Sequence, residues 1–140
     1  MRILAVDFGE ARTGLAICDS GEMLSSPAGT IHEKNADVVI DKIIEAAKNY
    51  RAEEIVFGLP KNMDGTEGER AVRCRQVSEK LGEKSGIPVV LWDERSSTKT
   101  ATYYMNETDT RGKKRKNVID SAAAAIILDS YLAFRKNKRG

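Results

Sequence analysis

Hydrophobic positions along the chain change their period several times, and each change predicts an element. From Arg2 to Asp7 the apolar residues run without a break, as in a strand buried on both faces at the centre of a sheet. Phe8 to Arg12, with Gly9, reads as a turn. Thr13 to Cys18 is a second strand, which makes the pair a hairpin with a longer loop. Met23 to Ile31 forms a third strand, and Pro27 and Gly29 push it to an edge. Helical spacing then takes over: Val39, Ile40, Ile43, Ile44 and Ala47 share one stripe of a helix over 36–50.

Glu54 to Leu59 is the fourth strand, followed by a loop with an Asp64-Gly65 turn. A helix over 69–84, a fifth strand over 87–93 entered through Pro88, and a short helix over 98–105 come next. After a basic loop the last helix covers 118–134, where the Ala122 to Ala125 cluster allows close approach to a sheet. Three strands followed by alternating helices and strands predict an α/β fold with a mixed five-stranded sheet. Strands 1 to 3 are antiparallel, strands 4 and 5 run parallel to strand 1, and helices lie on both faces. This is the strand inventory of a ribonuclease H-like fold, in a single domain over 1–140 that ends in a basic tail at about 135–140.

Composition adds exclusions. The 140 residues are 41% hydrophobic and 31% charged, as in ordinary globular domains. Two cysteines, Cys18 and Cys74, and one histidine, His32, build neither a disulfide framework nor a thiolate zinc site. The longest apolar run, Ala122 to Leu128, is too short for a membrane span, so a cytoplasmic protein is expected. Charge is unevenly placed. From Arg111 onward nine basic residues face Asp120 and Asp129, a net of +7, so the formal +2 of the chain leaves −5 for residues 1–110. That asymmetry suits an anionic partner, nucleic acid first, and equally suits a solvated loop and frayed tail.

Three carboxylates stand out. Asp7 ends a buried strand in phase with Ile3 and Ala5, where an isolated charge is costly without a cation or hydrogen bonds. Taken alone it caps the Phe8-Gly9 turn or pairs with Arg12. Glu94 follows the fifth strand in phase with Val90 and Trp92, at the kind of strand end where ligands gather in open α/β sheets. Asp93 alternates to the other face, and phase alone does not choose between the two. Asp120 lies three residues after Asn117, a helix-start arrangement with Asn117 as N-cap. If the alanine cluster presses that helix onto the sheet, Asp120 points toward the same strand ends. Such a set can hold one or two Mg²⁺ or Mn²⁺ ions for phosphodiester hydrolysis. The loop after strand four offers Lys61, Asn62 and Thr66 to a phosphate backbone, and Arg70 and Arg73 follow on the next helix. Cys74 is at core spacing, and His32 is structural or on the surface.

Four motifs in order cover nearly the whole chain. They are Val6-Asp7-Phe8-Gly9 with Arg12 and Gly14; Gly58-Leu59-Pro60 with Asn62-Met63-Asp64-Gly65-Thr66; Asp93-Glu94-Arg95 with Ser97-Thr98; and Lys113-Lys114-Arg115-Lys116 with Asp120-Ser121-Ala122-Ala123-Ala124 and Ile127-Leu128. Together they resemble the YqgF family, described as Holliday junction resolvases or as nucleases that mature the 5′ end of pre-16S ribosomal RNA. The resemblance implies a ribonuclease H-like fold, with Asp7, Glu94 and Asp120 as catalytic and metal-binding carboxylates. Arg12, Arg95 and the basic segment Lys113, Lys114, Arg115 and Lys116 then join the nucleic-acid contacts. Ser96 departs from the family, which usually carries a bulky apolar residue there. The implied partners are pre-rRNA or branched DNA and ribosomal particles, with no membrane, for a monomer or a homodimer. The main expectation is metal-dependent maturation of pre-16S rRNA, with junction resolution the alternative. A non-catalytic assembly factor is the rival from another class, and the likeness of 7–14 to the phosphate hairpin of sugar kinases ranks below both, because 140 residues leave no room for a second lobe.

Overall fold

In a computed structural model, residues 1–60, 65–93 and 112–139 are described, with only the course of the helix given for 112–121 and 138–139. Strands β1 (Ile3–Asp7), β2 (Arg12–Cys18) and β3 (Ser25–His32) precede helix α1 (Ala36–Tyr50). Strand β4 (Glu54–Leu59), helix α2 (Glu69–Ser85), strand β5 (Val89–Asp93) and helix α3 (Gly112–Arg139) follow. The sheet order is β3-β2-β1-β4-β5. β2 is antiparallel to β1 and β3 antiparallel to β2, while β4 runs parallel to β1 and β5 parallel to β4. The ribonuclease H-like sheet expected from the sequence is the one observed.

β1 is the central strand because nothing polar interrupts it before Asp7: Ile3, Leu4, Ala5 and Val6 are all fully buried. Its alternation divides the core in two. Leu4 and Val6 face α1 and α2, joining Val39, Ile43, Phe57, Cys74 and Leu81. Ile3 and Ala5 face α3, joining Ala16, Val56, Ala124, Ile127 and Leu128. The small Ala124, fully buried, lets the α3 backbone approach the sheet, as the alanine cluster predicted. Asn35 caps α1 through its side-chain oxygen, and Arg51, at φ 57°, closes the helix in the left-handed region. β3 lies at the edge, starting two residues later than expected and ending one later. Its register against β2 shifts at Leu15/Ala16, beside Pro27 and Gly29, the latter at φ 104° where only glycine is unstrained.

The main correction concerns the last helix. It begins at Gly112, not near Val118, so the Lys113–Lys116 segment is helix rather than loop, and Asn117 lies inside the helix instead of capping it. Lys and Arg are good helix formers, and neither Gly nor Pro occurs from Lys113 to Arg139. The charge run had suggested a break where backbone preference has none. The short helix expected over 98–105 lies outside the described residues. Among the described residues, no helix is long and apolar enough to cross a membrane.

Candidate active site at the sheet end

Parallel pairing brings the C-terminal ends of β1, β4 and β5 to one edge of the sheet, and the antiparallel β2 starts there. Asp7 is the last residue of β1 and is half-buried. Its alternation with Ile3 and Ala5 assigns it to the α3 face. On one side it pairs with Gly14 of β2. On the other, Val6 pairs with Phe57, so Gly58 comes level with Asp7, and Gly58 pairs in turn with Trp92. The row therefore reads Gly14, Asp7, Gly58, Trp92: one carboxylate with no side chain on either neighbouring strand. Arg12, half-buried, is in phase with Gly14 and Ala16 and so belongs to the same face.

Asp93 pairs with Leu59 and lies in phase with Leu91, which packs against the core on the α1/α2 side. It is thus on the face away from Asp7, while Val90 and Trp92 pack on the Asp7 face. The phase argument that left Asp93 and Glu94 open now removes Asp93.

α3 is fixed against this face by polar contacts at its C-terminal half. The Tyr131 hydroxyl donates to the Glu54 carboxylate, and Arg135 Nε donates to Glu22 Oε1 at 2.7 Å. The Trp92 indole N–H donates to Ser130 Oγ at 3.1 Å, and Ser25 Oγ donates to Asp129. Glu54 pairs with Ile3 at the start of β1. α3 therefore runs antiparallel to β1, with its N-terminal half toward the Asp7 end. From Tyr131 back to position 120 the helix rises about 16 Å at ~1.5 Å per residue, against about 13 Å for β1 from Ile3 to Asp7. Position 120 falls four residues before the buried Ala124 along the helix.

On the opposite side of the strand end, α2 supplies Arg70 and Arg73. Arg70 Nη2 donates to the Phe8 carbonyl oxygen at 3.3 Å, and the Arg73 guanidinium carbon lies 6.0 Å from the centre of the Phe8 ring. These two arginines border a cleft of about 480 Å³ with Phe8, Gly9, Glu10 and Glu69. The sequence reading named the arginines but missed Glu10 and Glu69. The signal was in Phe8, whose phase with Leu4 and Val6 sends it to the α2 side. Glu67 holds Arg75 through a two-pronged ion pair at 2.6 and 2.7 Å, tying the segment before α2 to the helix, and Thr66 is exposed in that segment. His32 is exposed at the end of β3, and Cys74 is buried in the core.

Glu94, Arg95, Lys61 and Asn62 lie outside the described residues, as do the side chains of Asp120, Lys113, Lys114, Arg115 and Lys116. Among the described residues no three His, Cys, Asp or Glu side chains cluster as metal ligands.

The family described as "RuvX: Holliday junction resolvase" matches residues 1–134 of the chain. A protein of Halothermothrix orenii named "Putative pre-16S rRNA nuclease" is 40% identical over 140 residues, covering all of both chains. A Bacillus cereus protein of the same name is 42% identical over 134 residues, 94% of this chain and 98% of that one. In fold, the chain is similar to Thermus thermophilus RuvC in a complex with a Holliday junction substrate, with a TM-score of 0.61 at 14% identity over 97% of this chain and 96% of that one.

Proposed function

The chain belongs to the RuvX family, called YqgF above, of nucleases and junction resolvases with a ribonuclease H-like fold, and from that premise we propose that it is a divalent-metal-dependent phosphodiesterase acting on structured nucleic acid. The observation that carries the reading is Asp7: a half-buried carboxylate at the end of the central strand, with glycine on both flanking strands, on the face that α3 covers.

In this proposal Asp7, Glu94 and Asp120 form the acidic set. Glu94 follows β5 in the sequence, in phase with Val90 and Trp92, and Asp120 precedes Ala124 by four residues on α3; both are assigned to the set that Asp7 begins. Hard oxygen donors on a half-exposed strand end suit Mg²⁺ or Mn²⁺, one ion or two, which keep waters for the substrate phosphate. When bound, such ions supply an activated water and charge stabilisation for the leaving oxygen. The chain's own side chains do the rest. Arg12 holds a non-bridging phosphate oxygen on the Asp7 face. Arg95, Lys61, Asn62 and Thr66 bind the substrate backbone, and Arg70 and Arg73 bind on the α2 side. Lys113, Lys114, Arg115 and Lys116, on the first turns of α3, extend the contact to neighbouring phosphates.

The substrate proposed first is the 5′ end of pre-16S rRNA, because relatives 40–42% identical over nearly their whole length carry that name. The family description as a Holliday junction resolvase makes a four-way DNA junction the second substrate. Both are tested together: the purified chain is incubated with Mn²⁺ or Mg²⁺ and end-labelled pre-16S RNA or junction DNA, and the product ends are mapped. Asp7→Asn is expected to lower cleavage at least about a hundredfold, the scale of losing one electrostatic stabiliser, with substrate binding unchanged. Cleavage that survives the substitution removes Asp7 from the chemistry. No cleavage of either substrate with either ion leaves a binding protein.

A further inference from the structure

Phe8 follows Asp7 directly, yet the alternation of the strand turns the two to opposite sides of the sheet end. Asp7 belongs to the α3 face, whereas the Phe8 ring packs with the α1/α2 core and is only 5% exposed. Above that ring lies the Arg73 guanidinium, and the cleft of about 480 Å³ opens there between the β1–β2 turn and the start of α2. Its size is within the roughly 300–1,000 Å³ of small-molecule sites. Its charges are balanced, with Glu10 and Glu69 against Arg70 and Arg73. A cleft built only for phosphate would carry a net positive charge, and two carboxylates oppose a polyanion. The same four groups suit a neutral planar ligand with N–H donors on its edge. Arg70 donates one hydrogen bond to Phe8, whereas Glu10, Glu69 and Arg73 have no hydrogen-bond partner among the described residues.

We propose that this cleft receives one unpaired nucleobase of the substrate strand, guanine by preference, while the adjoining phosphodiester lies across the strand end at Asp7. The proposal rests on the nuclease reading above for the identity of the strand. A guanidinium held over an aromatic ring at 6.0 Å leaves its outer face open, and a planar base stacks on such a face. Guanine alone among the common bases presents two adjacent donors, N1–H and N2–H₂, which match the two oxygens of one carboxylate. A splayed-out base beside the cleaved bond also selects single-stranded or distorted sites over regular duplex, because extruding a paired base costs stacking and pairing energy.

The test is binding without divalent ion. Fluorescein-labelled octanucleotides, ribo and deoxyribo, carry uracil or thymine throughout except at one site, which holds guanine, inosine or no base. Their affinity for the full chain is measured by anisotropy in EDTA. Guanine is expected to bind about tenfold tighter than the abasic site, and inosine, lacking the 2-amino group, falls between them. Arg73→Lys keeps the charge but loses the plane, and it removes the advantage of guanine over the abasic site. Arg73 is exposed, so this change leaves the fold intact. Glu10→Gln combined with Glu69→Gln narrows the gap between guanine and inosine. The proposal is overturned when the abasic strand binds as tightly as the guanine strand, or when Arg73→Lys keeps the whole difference, which would make the cleft a contact for phosphate charge alone. The two readings fail separately. A chain that discriminates bases in EDTA but cleaves nothing with Mn²⁺ retains the pocket and loses the nuclease, and one that cleaves without base preference does the reverse.

Discussion

Gly9 stands where a Cβ would come within 2.4 Å of the Arg12 carbonyl oxygen, a distance that backbone atoms do not relieve without moving the turn. Gly9→Ala is therefore expected to cost about 1–3 kcal/mol in urea unfolding and to lower cleavage with it, because Asp7 and Phe8 sit on the segment that must shift. Unchanged stability would mean that the turn has room to give. Thr13 makes the opposite case. Its hydroxyl is buried without a hydrogen-bond partner among the described residues, on the strand that pairs with β1. Thr13→Val removes an unmatched polar group at nearly constant shape, so stability is expected to hold or to rise by up to about 1 kcal/mol. A clear loss in the same measurement would reveal a partner for the hydroxyl. Asp7 and Asp93 were legible as candidates because an acidic residue ending an apolar strand interrupts a pattern. Glu10 and Glu69 interrupted nothing, and only their place around Phe8 distinguishes them.

α3 packs against the Asp7 face, and the basic run Lys113 to Lys116 lies on its first turns. The Tyr131 phenol is held above its usual value near 10, first by burial and then by its hydrogen bond to Glu54, with Arg135 pulling the other way. A phenol raised in the folded state contributes stability that is complete below the unfolded value and is lost as pH rises through the folded one. Tyr131→Phe is expected to lower stability by about 1 kcal/mol at neutral pH and to remove part of the decline above pH ~10. Equal alkaline slopes in the two proteins would show that Tyr131 does not drive that decline. At the other end of α3, replacing Lys113 to Lys116 by alanine keeps good helix formers in place, so far-ultraviolet circular dichroism should not change. Nucleic-acid affinity is expected to fall for all sequences, with the log–log salt slope flattened by about 0.7–0.9 for each phosphate that is no longer neutralised. An unchanged slope would exclude this turn from the backbone interaction. The helix stripe was legible from Ala122 onward because its apolar period is regular. The start at Gly112 was not, because a run of like charges has no amphipathic period.

At the scale of the whole molecule, a patterned sequence and a tertiary arrangement contribute different things. Strand and helix order, the mixed sheet and the central place of β1 follow from local period and from an unbroken apolar run, since burial on both faces leaves no other position for Ile3 to Val6. The motifs likewise identified the family without coordinates. Whether residues distant along the chain share a face was decided only by register and helix direction. Pairing set Asp7 between Gly14 and Gly58, alternation turned Asp93 away, and the contacts of Tyr131 and Arg135 fixed which end of α3 rises toward Asp7. The cleft around Phe8 belongs wholly to this second class. A period of two or 3.6 residues states which face a side chain takes on its own element, but what it meets there depends on how elements pack, and packing is set by the entire chain at once.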